Sequence, residues 1–308
     1  DALDDYQLSG QAGYTKPASL RQSDRRARGP AHVTVAETLE DGDFTTLPQA
    51  VTAAANIFSG QGAIVYLSPG IHSITSTLVV PPGVRIIGAG KERTHIRWLG
   101  AAGSDVIQLE QDASQGAGLE DLRVFDAGVG LNKMVEVVST AGGTDNGCEI
   151  RRVHIDASPS TYGIYVDSNA GTVNRLVVDE CVIDTLSYGI YATGPALYES
   201  RFTRNKIDSS TGIRTDVDAV QELLVSDNIV DADQAVGAYG IRLDANVLLG
   251  RALVSGNIVN GGQVGYQLRK ASGVVLADNY ALACASAAGN TVYGLDAIVE
   301  GALTVQGF

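Results

Sequence analysis

Apolar and polar residues alternate in short bursts along most of this chain, as in GIYVD (163–167), GIYAT (189–193), GIRTD (212–216) and GIRLD (240–244). A period of two over a few residues predicts strands with one buried face. The glycines that open the bursts form a series: Gly163, Gly189, Gly212, Gly240, Gly265 and Gly294. Each burst follows another apolar phrase: HIDA (154–157), VIDT (182–185), KIDS (206–209), NIVDA (228–232) and NIVNG (257–261). Aligned, the phrases give a column at Val153, Cys181, Asn205, Asn228, Asn257 and Asn279, with steps of 28, 24, 23, 29 and 22 residues. Three positions on stand Asp156, Asp184, Asp208, Asp231 and Asn260.

A unit this short, with two or three strands and no helix, cannot bury its own apolar face. Coiling the chain so that each unit stacks on the last solves the problem, with equivalent strands about 4.8 Å apart. The variable steps are then loops of variable length. Equivalent positions do the same work in successive coils, so a stacked asparagine ladder accounts for Asn205, Asn228, Asn257 and Asn279. The expected fold is all-β: a single right-handed parallel β-helix of roughly ten coils with a short N-terminal capping helix. The capping element is read from HVTVAETLEDGDFTTLPQAVTAAANIF (32–58) as strand, turn and helix. Thr46 is its N-cap, Pro48 stands in the first turn, and Leu47, Val51, Ala54, Ala55 and Phe58 share one face. Three segments follow: an irregular arm at 1–31, the strand and capping helix at 32–59, and the β-helix at 60–308.

The pattern resembles the right-handed parallel β-helix proteins of the pectate-lyase-like superfamily, through roughly residues 60–308 and through the cap before them. Within that superfamily it is most like bacteriophage spike or fibre proteins. The resemblance implies a virion-type spike or fibre that binds cell-surface polysaccharide, located on a virion surface or outside the cell. It implies a homotrimer covering the last coil, with other virion or appendage proteins docked through the arm; a local cap formed by the insertion at 282–292 is the alternative. The rival function is a secreted or virion-borne lyase, glycoside hydrolase or uronan epimerase. The catalytic motifs of the superfamily's pectin methylesterases, a QD, a DF pair and an arginine–tryptophan segment, have no counterpart, and the single tryptophan is Trp98 in the early coils.

Composition adds limits. With 36 Gly, 8 Pro and 6% aromatics, the chain suits tight turns between strands. A net charge of −13 argues against nucleic acid and anionic membrane surfaces as main partners. No apolar run is long enough for membrane insertion. Cys148, Cys181 and Cys284 have no metal spacing and read as free thiols.

Candidate chemistry lies on two faces. Outward positions after the glycines carry Tyr165, Tyr191, Arg214 and Arg242, and two positions on stand Asp216 and Asp244. Aromatic rings can stack on sugars and arginine forks can grip carboxylates or sulfates, so these six are the expected glycan-binding residues. The opposing reading is ion pairing along an exposed sheet. Asp184, Asp208 and Asp231 are the acid/base candidates, about 5 Å apart from one coil to the next. The same column would also suit calcium, the one cofactor considered. Its regular repetition instead favours ordinary turn chemistry at strand ends, and His154 reads as an exposed strand residue.

Overall fold

The computed structural model describes residues 31–36, 42–57, 62–126, 128, 130–140, 147–157, 160–168, 171–233, 237–272, 274–284, 295–299 and 303–306. Residues 1–30 of the arm expected at 1–31, Phe58, Gly294 and most of the 282–292 insertion lie outside the described residues, and Ala31 opens the first strand. The rest coils into a parallel β-helix with three sheets running its length. The first sheet has eleven strands, from Ala31–Val35 to Leu303–Gln306; the second has nine, from Gly70–Ile74 to Tyr280–Leu282. The third follows a ten-stranded order that includes Leu78–Val80, Tyr162–Asp167, Tyr188–Tyr198, Thr211–Gln221 and Tyr239–Gly250. Nine complete three-strand turns are thus described, slightly fewer than the roughly ten expected from the repeat.

Inward residues stack in register. Ile155, Ile183, Ile207, Val230 and Val259 pair coil by coil in the second sheet and are fully buried. Ile164, Ile190, Ile213 and Ile241 do the same in the third, where Tyr266 takes the next place. The Tyr266 hydroxyl is satisfied inside the core, donating within 2.9 Å of the Asn257 carbonyl and 3.1 Å of the Tyr280 carbonyl.

The first corner repeats one device. Asp121, Arg152, Glu180, Arg204, Asp227, Gly256 and Asp278 all take a left-handed step, with φ between 52° and 65°. Six of these are not glycine, a strain of roughly 1–2 kcal/mol each in isolation. The step aims each N–H at the next coil: Arg152 donates to the Asp179 carbonyl at 2.9 Å and Arg204 to the Ser226 carbonyl at 3.0 Å. Charges alternate along this corner, and Arg152 pairs with Asp121 at 2.7 Å, Arg204 with Glu180 at 3.2 Å.

The step also turns the following N–H into the interior, where only a side chain of the next coil can accept it. Asn205 N–H donates to Asn228 Oδ1 at 3.0 Å, Asn228 N–H to Asn257 Oδ1 at 3.0 Å, and Asn257 N–H to Asn279 Oδ1 at 3.1 Å. All four asparagines are buried, and Cys181 N–H joins the ladder through Asn205 Oδ1 at 3.0 Å. The glycine column has a different cause. A Cβ on Gly212 would lie 2.3 Å from Val230 Cγ1 and 2.6 Å from the Gly240 carbonyl oxygen, and Gly189 and Gly240 are equally confined. Space, and not a left-handed backbone, selects glycine there.

The helix α1 (Leu47–Ile57) packs on the first strands, with Leu47, Ala50, Val51 and Ala54 buried in the common core. It covers the N-terminal end of the coil, and the Thr46 carbonyl accepts from Ala50 N–H at 3.2 Å. No helix among the described residues is long and apolar enough to cross a membrane. Cys148 and Cys181 are buried free thiols whose burial pushes their pKa to about 12.

Candidate functional site

The third sheet turns its outward face into the most aromatic surface of the described chain. Register places Glu136, Tyr165, Tyr191, Arg214 and Arg242 in one column, and Asp167, Thr193, Asp216 and Asp244 in the column two residues on. The six residues expected from the sequence are therefore together on one face. Lys133, Tyr162 and Tyr188 form a third column beside them that the sequence reading missed. Tyr162 and Tyr188 precede the glycines of the repeat, as Tyr239 and Tyr293 also do in the sequence. This recurring Tyr-Gly pair was the available signal, and only positions after the glycine were read. The Lys133 coil carries Met134 in place of the glycine.

The four tyrosines form a grid. Tyr162 and Tyr188 stack with centroids 5.2 Å apart and planes at 14°, and Tyr165 and Tyr191 lie 5.6 Å apart at 49°. Tyr162 meets Tyr165 edge to face at 5.0 Å. The ends of the grid are closed by cations. Lys133 Nζ sits 4.4 Å from the Tyr165 centroid, and the Arg214 guanidinium lies 5.6 and 5.4 Å from those of Tyr188 and Tyr191. Ring faces are thus partly engaged with one another within the grid.

Each cation has a carboxylate partner. Arg214 pairs with Asp216, whose other contact is the Tyr191 hydroxyl, donating at 3.0 Å. Arg214 Nη1 also donates to the Tyr188 hydroxyl at 3.2 Å. Arg242 pairs with Asp244 at 2.9 Å and lies 5.0 Å from the Tyr239 centroid. Lys133 pairs with Glu136 and lies 3.6 Å from Asp105. Burial, with the charge of Asp216 next, pushes the Tyr191 phenol up to about 12, so it remains a donor. Burial opposes the Arg214 charge, but the bond to Asp216, the charge of Asp216 and the two tyrosines together outweigh it and hold the pKa above the ordinary value. The ion-pairing reading of these arginines is therefore realised, and it coexists with a continuous polar surface.

Asp184, Asp208 and Asp231 are brought into one column on the second sheet, a different face. They stand outward within four-residue strands and not in the strand-end turns expected for them. His154 is not simply exposed: its Nε2 lies 3.2 Å from Asp184 Oδ2 and its side chain is 20% accessible. Partial burial, then Asp184, Asp231 and Asp233, raise the Asp208 carboxyl above its ordinary range. Asp231 accepts from Asn260 at 3.2 Å, and Asp156 pairs with Arg123. No group of three or more His, Cys, Asp or Glu among the described residues is arranged to hold a metal ion.

A third feature lies toward the C-terminal coils. The outward column of Arg123, His154, Val182 and Lys206 continues as Ile229, Ile258 and Tyr280 in the same register. With Leu282 on the last strand of the same sheet they form an exposed apolar stripe.

The right-handed β-helix family, described as a right handed beta helix region, matches residues 137–302, and the chain belongs to it. No curated protein matches the chain by sequence. Among solved structures it is similar to a pectin methylesterase in complex with a hexasaccharide, at 12% identity and TM-score 0.55, over 88% of this chain and 94% of that one. It is similar to the catalytic domain of a GH87 α-1,3-glucanase in complex with tetrasaccharides, at 12% identity and TM-score 0.52, over 90% of this chain and 57% of that one. The A-module of the Azotobacter vinelandii mannuronan C-5 epimerase AlgE6 matches at 17% identity and TM-score 0.49, over 76% and 71%. The likenesses to the methylesterase and the glucanase show the fold, and the neighbours include polysaccharide-acting enzymes.

Proposed function

We propose that the protein is a polysaccharide-binding β-helix of the kind carried as a spike or fibre on a virion or outside the cell, and that cell-surface glycan lies along the third sheet. The observation that carries this reading is the tyrosine grid with its bonded Arg214, Asp216, Arg242 and Asp244. It offers fixed hydroxyls and carboxylates on a rigid sheet, the arrangement that orients a polyhydroxylated ligand. Extended parallel coils also match the length of a polymer, and two of the similar structures hold oligosaccharides. Self-association belongs to the same proposal. Three chains side by side would cover the stripe of Ile229, Ile258, Tyr280 and Leu282, which follow one another coil by coil and so differ from scattered surface apolar residues.

The test is a panel of bacterial polysaccharides titrated against the wild type, Tyr165→Ala, Tyr188→Ala and Asp184→Asn. The proposal expects each tyrosine variant to lose at least tenfold in affinity, Asp184→Asn to bind as wild type, and no new reducing ends or unsaturated uronate to form. Loss of binding confined to Asp184→Asn, or cleavage of any bound glycan, would replace this reading with an enzyme on the second sheet.

A further inference from the structure

Most described arginines stand against a carboxylate, as Arg123 does with Asp156 and Arg152 with Asp121. Lys91, Arg93 and Arg97 do not: among the described residues none of the three makes an ion pair. They fall within one short stretch, KERTHIR (91–97), of a chain whose net charge is −13. Arg201 and Lys206, the other described Lys and Arg side chains without an ion pair, stand on different sheets.

Strand alternation lines the stretch up. Thr94, Ile96 and Trp98 are buried, so Arg93, His95 and Arg97 stand outward on the second sheet, about 6.6 Å from one to the next. Backbone bonds fix the start of the row: Arg93 N–H donates to the Gly90 carbonyl at 2.9 Å, and the Arg93 carbonyl accepts from Gly70 N–H at 2.8 Å. Arg97 Nη2 lies 3.4 Å from Ser73 Oγ, and the His95 ring meets Phe125 edge to face at 6.0 Å. The register positions on either side add no carboxylate: Ile71 and Ser73 precede His95 and Arg97, and Arg123 and Phe125 follow them. Asp156, the first carboxylate of the column, is two coils beyond Arg97, about 10 Å away, and is already paired with Arg123.

A cavity of about 500 Å³ opens where the row begins, between the turn Gly90–Arg93 and the side chains of Asp121, Arg152 and Glu180. The far wall is neutralised internally. Asp121 holds Arg152 at 2.7 and 3.0 Å, and Glu180 pairs with Arg204 at 3.2 Å. The turn sets Lys91 and Arg93 against one carboxylate, Glu92. Cations left without a counter-charge in a concave site concentrate anions, and their hydrogen bonds to oxyanions are stronger than neutral ones. A row of them suits a polymer whose anionic groups recur along its length, because each further contact then forms at high effective concentration. We propose that this coil is a second binding site, separate from the tyrosine face, for the carboxylate, sulfate or phosphate groups of an acidic polysaccharide. The choice of a saccharide as carrier rests on the glycan-binding reading above; the anion site rests on these charges alone.

Dextran sulfate, polygalacturonate and uncharged dextran, titrated at about 0.05 M and about 0.5 M salt, test it. At least one acidic polymer is expected to bind, and to bind tenfold or more weakly at the higher salt. Arg93→Gln with Arg97→Gln, once shown to melt as a folded protein, loses tenfold or more for that polymer. Arg201→Gln with Lys206→Gln, the same change in net charge elsewhere, loses less than twofold. A reading that needs no variant is hydrogen exchange in the wild type, which the bound polymer should slow in Thr94–Trp98. Equal losses in the two charge pairs would reduce the binding to a net-charge effect and overturn the proposal. Exchange unchanged in Thr94–Trp98, or no binding of either acidic polymer, would overturn it as well. Dextran sulfate bound through Arg93 and Arg97, with no glycan held by the tyrosine face, would instead refute the glycan-binding reading of the third sheet and leave the anion site standing.

Discussion

Replacing Asn228 with Leu removes one rung from the middle of the buried ladder. Asn228 Oδ1 accepts from both the backbone N–H and the Nδ2 of Asn205, each at 3.0 Å. Its own Nδ2 donates to the Phe202 carbonyl and to Asn257 Oδ1, each at 2.9 Å. Asn257 Oδ1 keeps the Asn228 backbone N–H as a donor, and Asn205 Nδ2 keeps the Val178 carbonyl. Two donors on Asn205 have nowhere else to turn, the backbone N–H and one amide hydrogen. At about 1–3 kcal/mol for each buried unsatisfied group, the cost is about 2–6 kcal/mol. The control is Asn260→Leu, the same change in the neighbouring strand. Asn260 is exposed and donates only to Asp231, so it should cost under about 1 kcal/mol. Urea denaturation followed by circular dichroism reads both, with the slope checked because a solenoid can unfold in parts. A folded Asn228→Leu protein within about 1 kcal/mol of wild type would refute the claim that the ladder satisfies otherwise stranded backbone groups.

Three further outcomes follow from the same geometry. Gly212→Ala forces a methyl against Val230 and the Gly240 carbonyl, and should destabilise the protein by about 1–3 kcal/mol in the same denaturation assay. Arg214→Ala with Arg242→Ala removes the brace on Tyr188 and Tyr191 and should lower glycan affinity tenfold or more; the melting temperature should fall by only a few degrees, since such ion pairs contribute about 1 kcal/mol or less each. Asp208 holds its proton more tightly in the folded chain than in the unfolded one, so its penalty is absent below the ordinary carboxylate range and grows as pH rises through the native value; Asp208→Asn should therefore raise the melting temperature at neutral pH and leave it unchanged in strong acid.

The parts of the fold legible in the sequence were those where one physical demand recurs in every coil. Asn205, Asn228, Asn257 and Asn279 meet the same inward N–H, and Gly163, Gly189, Gly212 and Gly240 the same crowded corner, so both columns could be aligned without coordinates. The left-handed corner before the ladder was not legible. Its residues alternate between Arg and Asp or Glu, and the repeat there lies in backbone geometry and not in residue type. The candidate site was half legible. Outward columns after the glycine could be counted, which found Tyr165, Tyr191, Arg214 and Arg242. Tyr162 and Tyr188 sit at the corner before it, and the His154–Asp184 contact crosses from one coil to the next. That the tyrosine rings stack on one another depends on rotamers that no spacing encodes.

The central claim is that the third sheet is the ligand face, and hydrogen–deuterium exchange with and without a bound polysaccharide tests it most directly. Protection should concentrate in Tyr162–Asp167, Tyr188–Tyr198, Thr211–Gln221 and Tyr239–Gly250, the strands that carry the tyrosine grid and its arginine–aspartate pairs. Protection centred on Val182–Thr185, Lys206–Ser209 and Ile229–Ala232, the strands of the aspartate column, would contradict the account.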